Sequence, residues 1–136
     1  MGRKANSKGM LPNGRHKNSE RFTKALHQIF DHPDYKTLNH DAQALLWLIT
    51  KQYTGFNNGM LKATLSIMQE WGWKKKRLYK CRDELEKHDW IRISRAQHFH
   101  KQPILYALSW LDIDEPPANI RFDDGVATYK KRSLRF

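Results

Sequence analysis

The sequence is short of cysteine and of long hydrophobic runs. Its one cysteine, Cys81, cannot form an intramolecular disulfide, so the chain lacks the framework that stabilises small secreted domains. No apolar stretch approaches the roughly 20 residues that a membrane-spanning helix needs. Residues 1–20 also have no apolar centre of the kind found in signal peptides. We therefore expect a cytoplasmic protein without membrane attachment.

Recognisable catalytic patterns are also absent. The chain has no Ser, His and Asp in a nucleophile order, and no glycine-rich loop that would bind a phosphate. His88, His98 and His100 have no cysteine or acidic partner at the spacing of metal ligands. We therefore predict a protein that is not an enzyme and binds neither a metal nor a cofactor.

Positive charge is what the chain has in excess. Its 136 residues contain 25 Lys and Arg against 14 Asp and Glu, a formal net charge of +11. Both ends are basic, whereas residues 111–128 contain five acidic residues and one basic residue. So large an excess in a short chain indicates an anionic partner, and a nucleic acid is the expected one.

Composition divides the chain into three parts. Residues 1–18 are rich in Gly, Asn, Ser and basic residues, which predicts a disordered basic arm. Residues 19–111 form the predicted folded domain, and residues 112–136 form an acidic segment with a flexible, basic C-terminal tail. The arm is either a solubilising tail or a segment that follows a phosphate backbone. In the second case its contacts are Arg3, Lys4, Lys8, Arg15 and Lys17.

The first half of the domain reads as helices. Ser19 is a candidate N-cap for a helix over residues 19–30, and Asp34 is a candidate cap for a short turn after Pro33. Asn39 is expected to cap the helix over residues 40–53. The inward positions of these elements are Phe22, Ala25, Leu26, Ile29, Phe30, Tyr35, Leu38, Ala42, Leu45, Leu46, Ile49 and Tyr53.

The second half alternates short elements with tight turns. The run TGFNNG predicts a reversal, residues 60–62 a short strand, and Thr64 the cap of a brief helix that stops at Gly72. A helix over residues 74–88 follows, with Leu78, Cys81 and Leu85 facing inward. Residues 90–94 and 104–110 alternate apolar and polar positions and predict two strands. Trp47 and Trp110 are expected in the core, and one of Trp71 and Trp73 is expected to pack inward.

This order predicts a mainly α fold with a small β-hairpin, a winged helix-turn-helix in which residues 74–88 form the recognition helix. Its charge gradient supports that reading, because KKKR comes first and DELE later, against the preference of the helix dipole. A helix that adds cations to its positive end favours an anion there. The predicted contacts on this helix are Lys74, Lys75, Lys76, Arg77, Tyr79, Lys80 and Arg82, and those in the wing, residues 95–103, are Arg95, His98 and Lys101.

Residues 33–115 resemble the small winged helix-turn-helix DNA-binding proteins of plasmids, prophages and integrated elements, which are often labelled replication-initiator-like. The matching pieces are DYKTLNHDAQALL, YTGFNNG, the GW before the basic helix, LYKCRDELEKHDWI and LYALSWLDIDE. The chain departs from that pattern where it has Lys74 to Arg77 in place of a small polar cap, and Asp89 in place of a glycine. The resemblance implies DNA binding at a bacterial nucleoid or in a phage-infected cell.

The leading hypothesis is sequence-biased binding of double-stranded DNA by a transcriptional regulator of a mobile element, acting as a monomer or a homodimer. One alternative is a plasmid or phage replication initiator that binds an origin. Another is a winged-helix interaction module within, or an inhibitor of, a larger nucleoprotein complex, with residues 112–136 contacting a protein partner. RNA is an alternative ligand, because a basic surface with aromatic residues also stacks on unpaired bases.

Overall fold

The computed structural model describes residues 20–136, which form a small fold of short helices and one two-stranded antiparallel hairpin. The predicted combination of helices with a small hairpin is confirmed at this level. Within residues 20–136, no helix has the length and hydrophobicity that crossing a bilayer requires. The helices are α1 (His27–Asp31), α2 (Pro33–Lys36), α3 (His40–Thr50), α4 (Leu65–Met68) and α5 (Lys75–Lys87), the strands are β1 (Ile91–Arg95) and β2 (Leu105–Leu108), and 3-10 turns cover Gln69–Trp71 and Val126–Thr128.

The first predicted helix is much shorter than expected. Residues 20–26 are irregular, and only α1 is helical, although the apolar spacing suggested a helix over residues 19–30. Ile29 is buried, whereas Phe22 is 86% exposed and Phe30 is 41% exposed. A helix this short is marginal without a surface to pack against, and the described fold offers none to Phe22.

Helix caps explain where α2 and α3 begin. The prediction that Asp34 caps the turn is wrong, because His32 Nδ1 accepts the hydrogen bond from the Asp34 N–H at 3.1 Å. The prediction for α3 is confirmed, since Asn39 Oδ1 accepts from the Ala42 N–H at 2.9 Å. The expected inward residues of α3 are buried up to Ile49, and the helix ends at Thr50.

The turn between α3 and the short segment at Leu61 is built around Asn58, whose side chain is fully buried. Its Nδ2 donates to the carbonyl oxygens of Leu108, Leu111 and Asp112 at 3.1, 3.3 and 2.9 Å, and its Oδ1 accepts from the Leu108 N–H at 2.7 Å. The next residue must be glycine, since Gly59 has a φ of +118° and a Cβ there would lie 2.6 Å from the Phe122 ring. This turn therefore joins α3 to the end of β2.

Helices α4 and α5 form a pair joined at Gly72. Thr64 Oγ1 accepts from the Ile67 N–H at 3.4 Å, as predicted. The 3-10 turn Gln69–Trp71 continues α4, and Gly72 ends it with a φ of +84°, at the predicted stop. Helix α5 packs on α3 through Leu78, Cys81 and Leu85, which are buried as expected. Asp89 takes a left-handed φ of 58° after α5, a conformation that aspartate adopts more readily than most non-glycine residues.

The two strands do not show the predicted alternation. Ser94 is fully buried, Ile93 is partly exposed together with Arg92 and Arg95, and all four residues of β2 are buried, so burial does not alternate along either strand. The register shifts between Ile93 and Arg95, which turns Ser94 inward, where its hydroxyl donates to the Gly59 carbonyl. The short strand predicted at residues 60–62 is present as one bridge between Leu61 and Tyr106.

Residues 112–136 cover the hairpin, so the prediction of a flexible C-terminal tail is wrong. Val126 is 1% exposed, and the Arg132 N–H donates to the Ser109 carbonyl at 2.8 Å. The Arg132 guanidinium lies 4.2 Å from the centre of the Trp90 ring, donates to the carbonyls of His88 and Asp89, and pairs with Asp34 Oδ2 at 2.9 Å. This arginine anchors the end of the chain to α2 and to the end of α5.

The groups around Arg132 make the fold sensitive to acid. Burial, and next the Arg132 charge, lower the pKa of His32 from 6.5. The hydrogen bond from Arg132 lowers the pKa of Asp34 from 3.8. In both cases the pKa of the group is lower in the folded protein than in the unfolded chain, so protonation favours the unfolded chain. We therefore expect the free energy of unfolding to decrease as pH falls, first below about 6.5 and again below about 3.8.

Urea unfolding from neutral to acidic pH measures this decrease. Asp34→Asn is expected to make the lower part of the profile less steep, because one of the two carboxyl groups with a lowered pKa, Asp34 and Asp123, is gone. Asp124→Asn is the matched control, since the Asp124 side chain is fully exposed. Equal profiles for Asp34→Asn and the unmodified protein would contradict the prediction.

Candidate nucleic-acid interface

The start of α5 carries a cluster of cations that the described chain leaves unpaired. Lys74, Lys75, Lys76 and Lys80 are exposed, and none forms an ion pair with a carboxylate of residues 20–136. Lys74 is the N-cap, and no side chain makes a capping hydrogen bond there. The positive end of the helix dipole and four lysine charges therefore coincide at the surface, an arrangement that is unfavourable until an anion binds.

Arg77 lies beside this cluster but is engaged with the protein. Its Nη1 lies 3.6 Å from Asp41 Oδ2, its Nη2 donates to the Gly72 carbonyl at 3.4 Å, and its guanidinium stacks 4.4 Å from the centre of the Trp73 ring. Trp73 is 6% exposed and Trp71 is 43% exposed, so one of these two tryptophans packs inward, as predicted. Arg77 thus braces the turn at Gly72 against α3.

Arg82 lies on the other flank and is also held. Its guanidinium is 4.5 Å from the centre of the Tyr79 ring and 5.8 Å from that of Tyr106, and Nη1 donates to the Ala63 carbonyl at 3.3 Å. Lys75 Nζ lies 5.9 Å from the same Tyr79 ring, which is 42% exposed. Tyr79 therefore stands between two cations on the outer face of α5.

The predicted wing, residues 95–103, comprises the last residue of β1 and most of the β1–β2 loop (residues 96–104), and two of its three predicted contacts hold the loop in place. Arg95 Nη2 donates to the Pro103 carbonyl at 2.7 Å, and His98 Nε2 lies 2.7 Å from Asp123 Oδ1. The His98 hydrogen bond, and then the Ala96 N–H, lower the pKa of Asp123. Lys101 is exposed, so it alone of these three points its charge to solvent without a partner in the described chain.

The arm residues Arg3, Lys4, Lys8, Arg15 and Lys17 lie outside the described residues. Across the part of the chain that the structure describes, no three His, Cys, Asp or Glu side chains come together as metal ligands. His88, His98 and His100 are therefore not gathered with a further ligand there.

Sequence reasoning missed the residues that position the interface from a distance. Asp123 holds the β1–β2 loop through His98, which lies 25 residues before it in the sequence. Arg132 holds the C-terminal segment through Asp34, which lies 98 residues before it. Neither separation leaves a periodic or local signal. Asn58 differs from Asp123 and Arg132 in lying within a motif that the sequence shows, the NNG turn. That motif predicted a chain reversal, but not that the Asn58 side chain is buried and hydrogen-bonded to distant backbone groups.

No family model, curated protein or solved structure matches this chain. The function is therefore argued from the residues of the interface.

Proposed function

We propose that the protein binds double-stranded DNA as a winged helix-turn-helix and regulates transcription of a mobile element. In this proposal α4 and α5 are the helix-turn-helix, α5 is the recognition helix, and the β1–β2 loop is the wing. The observation that carries the proposal is a group of exposed lysines at the start of α5 that form no ion pair within residues 20–136: Lys74, Lys75, Lys76 and Lys80. Four like charges at the positive end of a helix lower its stability, and a polyphosphate partner accounts for them.

The shape of α5 favours a duplex. Its 13 residues make a helix of about 20 Å, and the major groove of B-DNA, about 12 Å wide, admits such a helix. The buried side of α5 faces α3, so Lys75, Lys76, Tyr79 and Lys80 remain on the side open to a ligand. Arg77 and Arg82 are fixed on the flanks and would meet the phosphates beside the groove.

The packing of the C-terminal segment bears on the alternative of a protein partner. Residues 112–136 pack on their own domain through Arg132 and Asp123, which leaves less of that segment for a protein partner.

A footprint separates a regulator from a replication initiator. A regulator that dimerises protects two inverted half-sites about one helical turn apart, whereas an initiator protects repeated sites in one orientation. A footprint on the DNA that flanks the gene therefore distinguishes these two.

Salt dependence of duplex binding tests the proposal. Five exposed lysines without an ion pair in the described chain and the two flanking arginines give seven expected phosphate contacts, from Lys74, Lys75, Lys76, Lys80, Lys101, Arg77 and Arg82. Fluorescence anisotropy over a salt series should give a slope of log K against log salt of about −6, and a steeper one if the arm contributes. A slope near zero, or preference for RNA over duplex DNA in a competition at physiological salt, would contradict the proposal.

A further inference from the structure

The tip of the β1–β2 loop presents an aromatic side chain to solvent. Phe99 is 69% exposed and lies between His98 and His100, with Lys101 next along the chain. Exposure alone does not distinguish this ring, since Phe56 on another turn is 84% exposed; its position at the tip of the loop beside basic side chains does. Two imidazoles flank the ring and the Lys101 ammonium follows, so its neighbours are polar or positively charged, as a site facing DNA requires.

The loop that carries Phe99 contains two hydrogen bonds of its own. The His98 N–H donates to Gln102 Oε1 at 2.7 Å, and the Gln102 N–H donates to the Phe99 carbonyl at 3.1 Å. Lys101 has a left-handed φ of 66°, which costs a non-glycine residue about 1 kcal/mol. The contacts of the loop therefore hold Lys101 in a backbone conformation that lysine by itself disfavours.

A second set of contacts fixes the loop relative to the domain. Asp123 Oδ2 accepts from the Ala96 N–H at 2.8 Å, its Oδ1 lies 2.7 Å from His98 Nε2, and its own N–H donates to the Ser94 carbonyl at 2.9 Å. The C-terminal segment thus sets the direction in which the tip points. Phe99 is therefore presented at a defined position relative to α5.

We propose that Phe99 is a wedge that inserts between base pairs in the minor groove next to the site of α5, and that Asp123 is the residue that positions it. This rests on the proposed function, since it requires a duplex held by α5. A rigid apolar ring partly unstacks a base step and kinks the duplex, while the neighbouring Lys101 contacts phosphate. The wing would then favour DNA in which two neighbouring base pairs are easily unstacked, and pyrimidine–purine steps are the most easily unstacked.

Phe99→Ala tests the wedge on the full chain, with DNA bending measured by energy transfer between dyes at the duplex ends. We expect the unmodified protein to bend its duplex by about 20° or more, and Phe99→Ala to abolish most of the bend and weaken binding about tenfold. The salt slope should stay unchanged, because no charge is removed. Phe99→Leu keeps an apolar wedge and should retain most of the bend.

Phe56→Ala is the matched control. Phe56 is 84% exposed on the turn that Asn58 fixes at the Leu108 end of β2, whereas the loop leaves from the opposite end, at Leu105. It should leave bending and affinity unchanged. Asp123→Asn keeps Phe99 but weakens the support of the loop, so it should reduce the bend with little change in the salt slope.

Bending that is unaffected by Phe99→Ala overturns the wedge, as does a bend lost equally in Phe56→Ala. An unmodified protein that binds duplex DNA in a salt-dependent way without bending it overturns the wedge and leaves the proposed function standing. Absence of any duplex binding overturns both. Stronger binding to single strands than to duplex, with loss in Phe99→Ala, would assign the ring to stacking on unpaired bases and would also overturn the wedge.

Discussion

Replacing Lys74, Lys75, Lys76 and Lys80 together with glutamine is expected to weaken binding to a short duplex by a factor of about 10² to 10³ at physiological salt. Each lysine that neutralises a phosphate releases counterions, so the slope of log K against log salt should also become shallower by about 3.6. The loss should be similar for different duplex sequences, because lysine contacts to phosphate position a protein without reading bases. Anisotropy titrations at several salt concentrations measure both quantities.

The same variant should fold at least as well as the unmodified protein. These lysines form no ion pair in the described chain, and they repel one another at the positive end of α5. Removing them relieves up to about 0.3 to 1 kcal/mol each. Thermal unfolding followed by circular dichroism therefore separates lost binding from lost structure, and an increase in stability would be direct evidence that the cluster is maintained for a ligand.

A second quadruple variant makes the test specific. Lys24, Lys36, Lys51 and Lys87 are also exposed, so their replacement with glutamine changes the net charge equally while leaving the start of α5 intact. We expect this control to lose much less affinity and to change the salt slope little. An equal loss in the two variants would show that net charge alone attracts DNA, and would contradict an interface at α5.

Replacing Asn58 with alanine is expected to lower the free energy of unfolding by about 3 kcal/mol. The side chain is fully buried, its Nδ2 shares two protons among three carbonyl oxygens within hydrogen-bond distance, and its Oδ1 accepts one hydrogen bond. Alanine leaves the Leu108 N–H and the carbonyls of Leu108, Leu111 and Asp112 without their partner. Burying such groups unpaired costs more than the net value of the bonds themselves.

Denaturant unfolding followed by tryptophan fluorescence measures this loss. Asn119→Ala provides the control, because Asn119 is exposed and its side chain makes no hydrogen bond in residues 20–136. It should change stability by no more than about 0.5 kcal/mol. A similar, small effect of both substitutions would mean that water replaces Asn58 in the turn, and would contradict its role as the centre that joins α3 to β2.

The parts of the fold that the sequence predicted correctly depend on contacts close in the chain. The side chains of Asn39 and Thr64 each cap a helix by accepting a hydrogen bond from the N–H three residues further along the chain. Gly72 ends the turn that follows α4 because it adopts a left-handed φ angle. The buried face of α5 follows from helical geometry, which places Leu78, Cys81 and Leu85 together. The same geometry predicts which lysines of α5 are exposed, so that part of the interface was accessible from the sequence.

The predictions that failed depend on contacts distant in the chain. The apolar spacing of residues 19–30 is helical, but no described surface receives Phe22, and the helix is confined to α1. Ser94 was assigned to a polar face because strands alternate, yet a register shift turns it inward. The charge of residues 129–136 suggested a free tail, whereas Arg132 is used to anchor it.

By itself the sequence determined the local elements and the dense positive charge at the start of α5, because caps, turns and helical faces are set by neighbours within a few residues. Only the tertiary structure decided which charges remain available to a ligand. It pairs Arg77 with Asp41, stacks Arg82 on Tyr79 and holds the β1–β2 loop with Asp123, while it leaves the four lysines unpaired in the described chain. The reason is that a charged side chain pairs with groups that packing brings close from distant parts of the chain. A local sequence pattern contains no information on those distant groups.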